Sequence, residues 1–357
     1  FIWCAPFCLT GTLAIGLKSH LILAKQKGHR PGEEKMKLVT LRKNGETGDR
    51  VGVWQEDNVL EFARPDDRAP WPAMLDLIKA GPDAWAEARD MADQGRGTRH
   101  AMADISLRAP IPVPEQFRDA MCFHKHIRQA FTAVARMQAA ASGDAAQVAE
   151  AEKAARAFEV PDIHFQQPIY YKGNRFAVGH PGQDIVWPEY SSLMDFELEL
   201  ACVIGTGGKN ISAENAADHI FGYTIFNDFS ARDAQAAEME GRLGPAKGKD
   251  FDNANVFGPC IVTADEIGDT PDLKMTARVN GEIWGEGNAT DMHWTFADVI
   301  AHISTGETLH PGEMIGSGTV GDGCGLEHMR FLNHGDLVEL EVEKIGVLAN
   351  RVVRSDS

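Results

Sequence analysis

The chain has 357 residues, 43% hydrophobic and 24% charged, the profile of a soluble globular protein with room for about two domains. Its formal net charge of −17 argues against nucleic acid or an anionic membrane as a partner, and an anionic substrate would need a local cation to enter such a field. The six cysteines (Cys4, Cys8, Cys122, Cys202, Cys260, Cys324) are scattered, with neither a CxxC pair nor zinc-type Cys/His spacing, as expected of reduced thiols in a cytoplasmic protein.

Phe1–Leu17 hold no charge, and Lys18–Lys35 turn basic and polar. No positive n-region precedes the apolar run, and a spanning helix needs roughly 20 apolar residues, so neither a signal peptide nor an anchor is expected. Met36-Lys37-Leu38-Val39-Thr40-Leu41 reads as a natural start followed by a strand, which makes residues 1–35 an expected extension outside the fold. Short alternating runs follow at Leu38–Leu41, Val51–Trp54 and Val59–Phe62, then a helical stretch around Trp71–Ala92. These predict a small α+β N-terminal domain over 36–108.

Pro110, Pro112 and Pro114 form a stiff connector into a second domain, 109–357. Within it, residues 127–158 are rich in Ala, Gln, Glu and Arg and broken at Ser142-Gly143-Asp144, which predicts two helices and a turn forming an overlying arm. After Pro168 strands dominate. Asn280-Gly281 signals a tight hairpin, Thr295–Ser304 has helical spacing, and Leu337–Val353 alternates as a closing strand pair. Helices interrupt the strands without regular βαβ alternation, so the expected class is α+β, predominantly β, with a mixed and mostly antiparallel sheet.

The most informative stretch is Met194–Gly205, where charged and apolar residues alternate before the chain turns wholly apolar. Residues two apart on a strand share a face, about 6.6 Å apart. Glu197 and Glu199, with Asp195 beside them, therefore project from one surface. That surface is either a solvated face of an edge strand or an oxygen-lined site for a hard divalent cation. Further along, Phe226–Gln235 reads as a strand end passing into a helix, with Ser230 a possible N-cap, Asp228 a possible second cap, and Asp233 paired to an Arg or solvated. Leu243–Phe251 is a Gly/Pro loop that aims a lysine at an anion or simply forms a surface turn. Gly316–Glu327 is glycine-dense, permitting close backbone approach to a ligand, but lacks nucleotide-loop spacing. Asp119 and His126 lie seven residues apart, the histidine open to a structural or a proton-transfer role.

Taken in order, these blocks resemble the fumarylacetoacetate hydrolase family over about residues 110–353, most specifically at Met194–Ala201, Asn227–Gln235 and Gly318–Glu327. The resemblance implies a mixed β-roll catalytic domain, a homodimer, and a divalent cation (Mg²⁺ foremost, with Mn²⁺ or Ca²⁺ also used) held by Asp119, Glu197, Glu199 and Asp228. It places His126 as general base and Glu327 as the residue that orients it. Gln235 and Lys249 would face the reacting carbonyl, while Tyr171, Thr319 and Met121 fall at substrate-contacting positions. Two departures stand out: Met121 replaces a tyrosine of the animal-type enzyme, and the arginine that follows the base has no clear match between Arg128 and Arg136.

The implied activity is hydrolysis of a C–C bond in a 1,3-dicarbonyl or acylpyruvate-type 2-oxo acid, from aromatic or sugar-acid catabolism. The same chemistry serves decarboxylation, hydration or dehydration, and tautomerisation of a related 2-oxo acid. A reading of another class is a non-catalytic divalent-cation-binding β module, which leaves His126, Glu327 and Lys249 without a role.

Overall fold

The computed structural model describes residues 36–63, 69–268 and 271–354; the expected extension 1–35 lies outside them. Strands β1 (Lys37–Lys43), β2 (Asp49–Gln55) and β3 (Asn58–Phe62) form a meander, followed by α1 (Met74–Ala80) and α2 (Pro82–Asp93). Gly81, at φ 83°, separates the two helices, and Pro82 opens the second at a position whose N–H has no helical partner anyway. Strands β4 (Gly97–Ala101), β5 (Ile105–Arg108) and β6 (Phe117–Ala120) lead to the helical arm.

The arm is α3 (His124–Ser142) and α4 (Ala145–Ala157). It turns where its sequence breaks, with Gly143 in the left-handed region and the Asp144 carboxylate accepting the Ala146 N–H. α3 starts three residues before the expected arm, which brings His126 into its first turn. Next come β7 (Tyr170–Lys172), β8 (Leu198–Ile204), β9 (Ile220–Asp228), α5 (Arg232–Glu240) and β10 (Asn255–Thr263). The chain closes with β11 (Lys274–Val279), β12 (Glu282–Asn288), α6 (Phe296–Ser304), β13 (Met314–Gly316), β14 (Leu337–Val342) and β15 (Gly346–Arg354).

One twelve-stranded sheet carries the order β4-β3-β2-β1-β10-β9-β8-β13-β6-β7, with β5 paired to β1 and the two-residue strand Val178–Gly179 paired to β10. The segment 36–108, read from the sequence as an N-terminal unit, thus continues the sheet of the later strands, through Lys37↔Val262 and Leu38↔Ile261. Most pairings are antiparallel; β13 and β6 run parallel. The second sheet, β12-β11-β14-β15, ends on a short strand at Ile185–Trp187. Its hairpin turns at Asn280 (φ 52°) and Gly281 (φ 79°), the two positive φ angles that an Asn-Gly turn supplies. This mixed, sheet-rich architecture is the predominantly β class expected from the sequence.

Alternation along β8 divides two apolar cores. Leu198, Leu200, Cys202 and Ile204 face one core, shared with β11, β14 and α6. Ala201 and Val203 face the other, built with α1, α2 and the N-terminal strands. In the second, Phe117, Phe226 and Phe257 pack together, Phe226 stacking on Phe257 with ring centroids 4.4 Å apart. Glu199 shares the face of Ala201 and Val203, so its carboxylate emerges above that aromatic layer.

Candidate functional site

Strand order brings the acids together. Across β9, β8, β13, β6 and β7 the register sets Asp228 at the end of β9, Glu199 beside Phe226, Gly316 beside both Ala201 and Asp119, and Asp119 beside Tyr171. Gly316 separates Glu199 from Asp119. A Cβ there would collide with Asp119 Oδ1 and lie 3.0 Å from Glu199 Oε2, so a side chain at 316 would push the two carboxylates from their present places. Two residues on, Gly318 N–H donates to both, at 3.1 Å to Asp119 Oδ1 and 3.0 Å to Glu199 Oε2. Carboxylate oxygens of Asp119, Glu199 and Asp228 all lie within 4.8 Å of one another.

Burial raises all three. Asp119 is pushed up to about 6, with Glu199 and Lys249 pulling the other way, and Asp228 up to about 7 against the pull of Lys249. Burial, and next the neighbouring Asp119, drive Glu199 well above the carboxylate range. Glu199 Oε1 and Asp228 Oδ1 are buried with no hydrogen-bond partner. Buried oxygens left unpaired cost free energy, and a hard divalent cation satisfies them where a hydrogen-bond donor would otherwise be needed. The residues therefore fit an oxygen-ligated cation.

Glu197 sits beside these three and differs from them. Lys249 Nζ donates to Glu197 Oε2 and to Asp228 Oδ2, at 2.6 Å each. Arg232 Nη2 lies 2.8 Å from Glu197 Oε1, an ionic contact without hydrogen-bond alignment. Burial alone would raise Glu197, but Arg232, then Lys249 and His126, hold it well below the usual range. Lys249 is raised in turn: burial would lower it, and Asp228 and Glu197 outweigh that. Its position is set by Glu238, whose carboxylate accepts the N–H groups of Ala246, Lys247 and Gly248 at 3.0, 2.6 and 3.1 Å. The other loop lysine, Lys247, lies over the Tyr190 ring, 5.7 Å from its centroid.

His126 and Glu327 meet as expected. His126 Nδ1 and Glu327 Oε1 are 2.9 Å apart, and Glu327 Oε2 accepts Cys324 N–H at 3.1 Å. The bond at Nδ1 leaves Nε2 turned toward Glu197, 4.0 Å from Oε1. Tyr171 O–H donates to Asp228 Oδ2 at 2.8 Å. Thr319 Oγ1 is buried with no partner. Met121 is half-buried, its Cα beside Gly318. Gln235 Oε1 accepts from Arg232 Nη1 at 2.9 Å, and its stem lies against Gly248.

Several sequence readings need correction. Glu197 and Glu199 are on no solvated edge: β8 is interior to the sheet and Glu199 is 0% exposed. Asp195 does not join the acid trio; its oxygens accept Gly325 N–H at 2.8 Å, Leu326 N–H at 2.9 Å and Arg232 Nε–H at 2.8 Å. Ser230 is not the cap of α5, because the hydroxyl donates back to Asp228 C=O and Ala231 takes the cap position. Nor does Asp228 cap a helix. Among the described residues Asp233 pairs with no arginine; it accepts from Ser191 and Ser192. Arg136 pairs with Glu152 within the arm, and Arg128 is exposed, so neither supplies the missing arginine.

Arg232 is the residue that sequence reasoning missed. It is buried and bridges Asp195 to Glu197. A signal existed, since an Arg beside an Asp at a strand-to-helix junction is an ion-pair candidate, but its partners lie 35 or more residues away in sequence.

Among known proteins, residues 136–353 match the model of the fumarylacetoacetate (FAA) hydrolase C-terminal domain. Oxaloacetate tautomerase YisK of Bacillus subtilis is 31% identical over 290 residues, 78% of this chain and 86% of that protein. The mitochondrial oxaloacetate tautomerase fahd2 of Xenopus laevis is 30% identical over 339 residues, 94% of this chain and 96% of that protein. Among solved structures, a fumarylacetoacetate hydrolase from psychrophilic Exiguobacterium antarcticum superposes with a TM-score of 0.67 at 25% identity, over 89% of this chain and 99% of that one. A maleylpyruvate hydrolase from Sphingobium sp. SYK-6, solved with manganese(II) and pyruvate, shares the fold at a TM-score of 0.65 and 23% identity, over 89% of this chain and 99% of that one. The chain belongs to the fumarylacetoacetate hydrolase family.

Proposed function

We propose that this protein is a divalent-cation-dependent tautomerase that interconverts the enol and keto forms of oxaloacetate or a close 2-oxo dicarboxylate. The observation that carries the reading is the buried His126–Glu327 pair beside the trio of Asp119, Glu199 and Asp228. The similarity to oxaloacetate tautomerases, over 94% of the chain in one case, supports this reaction over the C–C hydrolysis expected from the sequence. Asp119, Glu199 and Asp228 would hold the cation, with Glu197 beside them, and the ion would supply Lewis acidity toward a 2-oxo acid.

The rest is work for the chain's own side chains. Tautomerisation moves one proton between the C2 oxygen and C3, with no water consumed and no carbon–carbon bond broken. Glu327 fixes the His126 ring through Nδ1, leaving Nε2 to exchange the proton. Lys249 places two of its three N–H groups on carboxylates, and Gln235 gives its oxygen to Arg232. That arrangement suits holding charge in place better than stabilising a new oxyanion, as hydrolysis would require. Thr319 Oγ1 and Tyr171 are the polar groups we assign to the substrate.

C–C hydrolysis is a second reading, favoured by the same His126–Glu327 pair, which can equally take a proton from water. The test offers the enol of oxaloacetate and an acylpyruvate separately, with Mg²⁺ or Mn²⁺. Faster loss of the enol absorbance without pyruvate release is expected. Cleavage of the acylpyruvate with no effect on the enol would replace this reading with the hydrolase. A homodimer belongs to the same proposal, checked by sedimentation at twice the chain mass.

A further inference from the structure

The His126–Glu327 pair has a third neighbour that proton transfer does not use. Cys324 offers its Sγ within 4.8 Å of ligand atoms on both His126 and Glu327, and all three side chains are buried. The geometry is built by the turn itself. Glu327 Oε2 accepts the Cys324 N–H, which curls the four residues so that both side chains face the α3 helix. Asp195 clamps the same turn through the Gly325 and Leu326 N–H groups.

We propose that Cys324, His126 and Glu327 form a second metal site, selective for a thiophilic divalent cation such as Zn²⁺, and that its occupation switches the protein off. The donor chemistry separates it from the acid trio. Asp119, Glu199 and Asp228 offer only hard oxygen donors, which suit Mg²⁺ or Mn²⁺. One sulfur, one nitrogen and one oxygen are the borderline set that zinc takes in tetrahedral sites, with water in the fourth position. Binding requires Cys324 to ligate as thiolate, so its Sγ–H proton is released to solvent. The His126–Glu327 hydrogen bond is exchanged for two metal–ligand bonds, its proton passing to Nε2 so that the ring stays neutral, and the imidazole that would carry the substrate proton is immobilised. The loss of turnover rests on the proposed role of His126; the binding does not.

Cobalt(II) is the probe, titrated into the full chain with saturating Mg²⁺. A cobalt ligated by thiolate gives a near-ultraviolet charge-transfer band that carboxylate ligation does not. The band is expected to saturate at one equivalent per chain and to vanish when Zn²⁺ displaces cobalt. Turnover should fall with the same Zn²⁺ midpoint. Cys324→Ser should lack the band, keep its Mg²⁺-supported turnover, and tolerate at least ~10-fold more Zn²⁺. Cys324→Ala serves the same purpose should the serine variant not fold. A band that survives both substitutions, or cobalt binding without the band, overturns the site. So does zinc inhibition that is equal in wild type and Cys324→Ser and relieved by excess Mg²⁺, which places zinc on the carboxylates. Absent turnover with Mg²⁺ alone counts against the tautomerase instead, and the cobalt band still decides whether the thiolate site exists.

Discussion

His126 and Glu199 carry separate halves of the chemistry. His126→Gln keeps a polar side chain on α3 and leaves the acid trio intact, so it should lower turnover about 10²- to 10⁴-fold with cation affinity unchanged. Steady-state rates and a cation titration on the same preparation check this; equal loss of both makes His126 a ligand or a structural residue. The i, i+2 spacing of Glu197 and Glu199 put both on one face, and they do share one. Their different surroundings were not legible: Arg232 and Lys249 hold one ionised, while Asp119 and burial push the other upward. Those partners arrive from distant loops, and strand periodicity says nothing about them.

At the scale of elements, Gly316 is the point where β13 yields space to its neighbours. Gly316→Ala forces a methyl between Asp119 and Glu199, and cation affinity should drop at least ~10-fold while the strand still pairs. Calorimetric titration decides it; unchanged affinity means the two carboxylates need not meet there. A second element-scale test concerns His180, which packs against Arg108 and Ala109 at the end of β5. Its Nδ1 faces the Ala109 N–H at 3.2 Å and its Nε2 faces Arg108, so a proton there has no acceptor. Burial, then Arg108, lower it to about 4 from 6.5.

Above pH 6.5 neither folded nor unfolded chain protonates this ring. Between 6.5 and 4 the unfolded chain binds the proton first, so stability is lost as the pH is lowered through that window. The raised acids of the trio work in the opposite sense, protonating first in the folded state. Denaturant midpoints of wild type minus His180→Asn, taken from pH 7 to 4, isolate the histidine, and a flat difference contradicts its assignment.

The elements were largely legible because each has a local cause. Asn280-Gly281 dictated its hairpin, and Thr295 with Asp298 capped α6 as the helical spacing required. The failure at Ser230 was also local in origin: a serine before a helix reads as a cap, yet its hydroxyl is taken by the Asp228 carbonyl, because β9 turns there to present Asp228.

For the whole molecule, the surplus of acid over base extends into the interior, where five buried carboxylates stand beside two buried cations. Lys249 and Arg232 neutralise Glu197 and Asp195 and part of Asp228, leaving Asp119 and Glu199 opposed across Gly316. Strand order was beyond the reach of the sequence, since β6, β8, β9 and β13 come from segments spread over almost 200 residues. The family resemblance named the acids; the sheet explains why they meet. Among the described residues no helix is long and apolar enough to cross a membrane.

The central claim is that the trio holds one divalent cation, and Glu199→Gln tests it most directly. The amide is isosteric with the protonated acid, so the cation-free fold should survive. Thermal midpoints and calorimetry with Mg²⁺ or Mn²⁺, against chelator, should show one ion per wild-type chain. At 100 times the dissociation constant the ion should stabilise the chain by about 2.7 kcal/mol, and Glu199→Gln should lose that gain. Wild type that binds no ion, or Glu199→Gln that binds it as tightly, would contradict the claim.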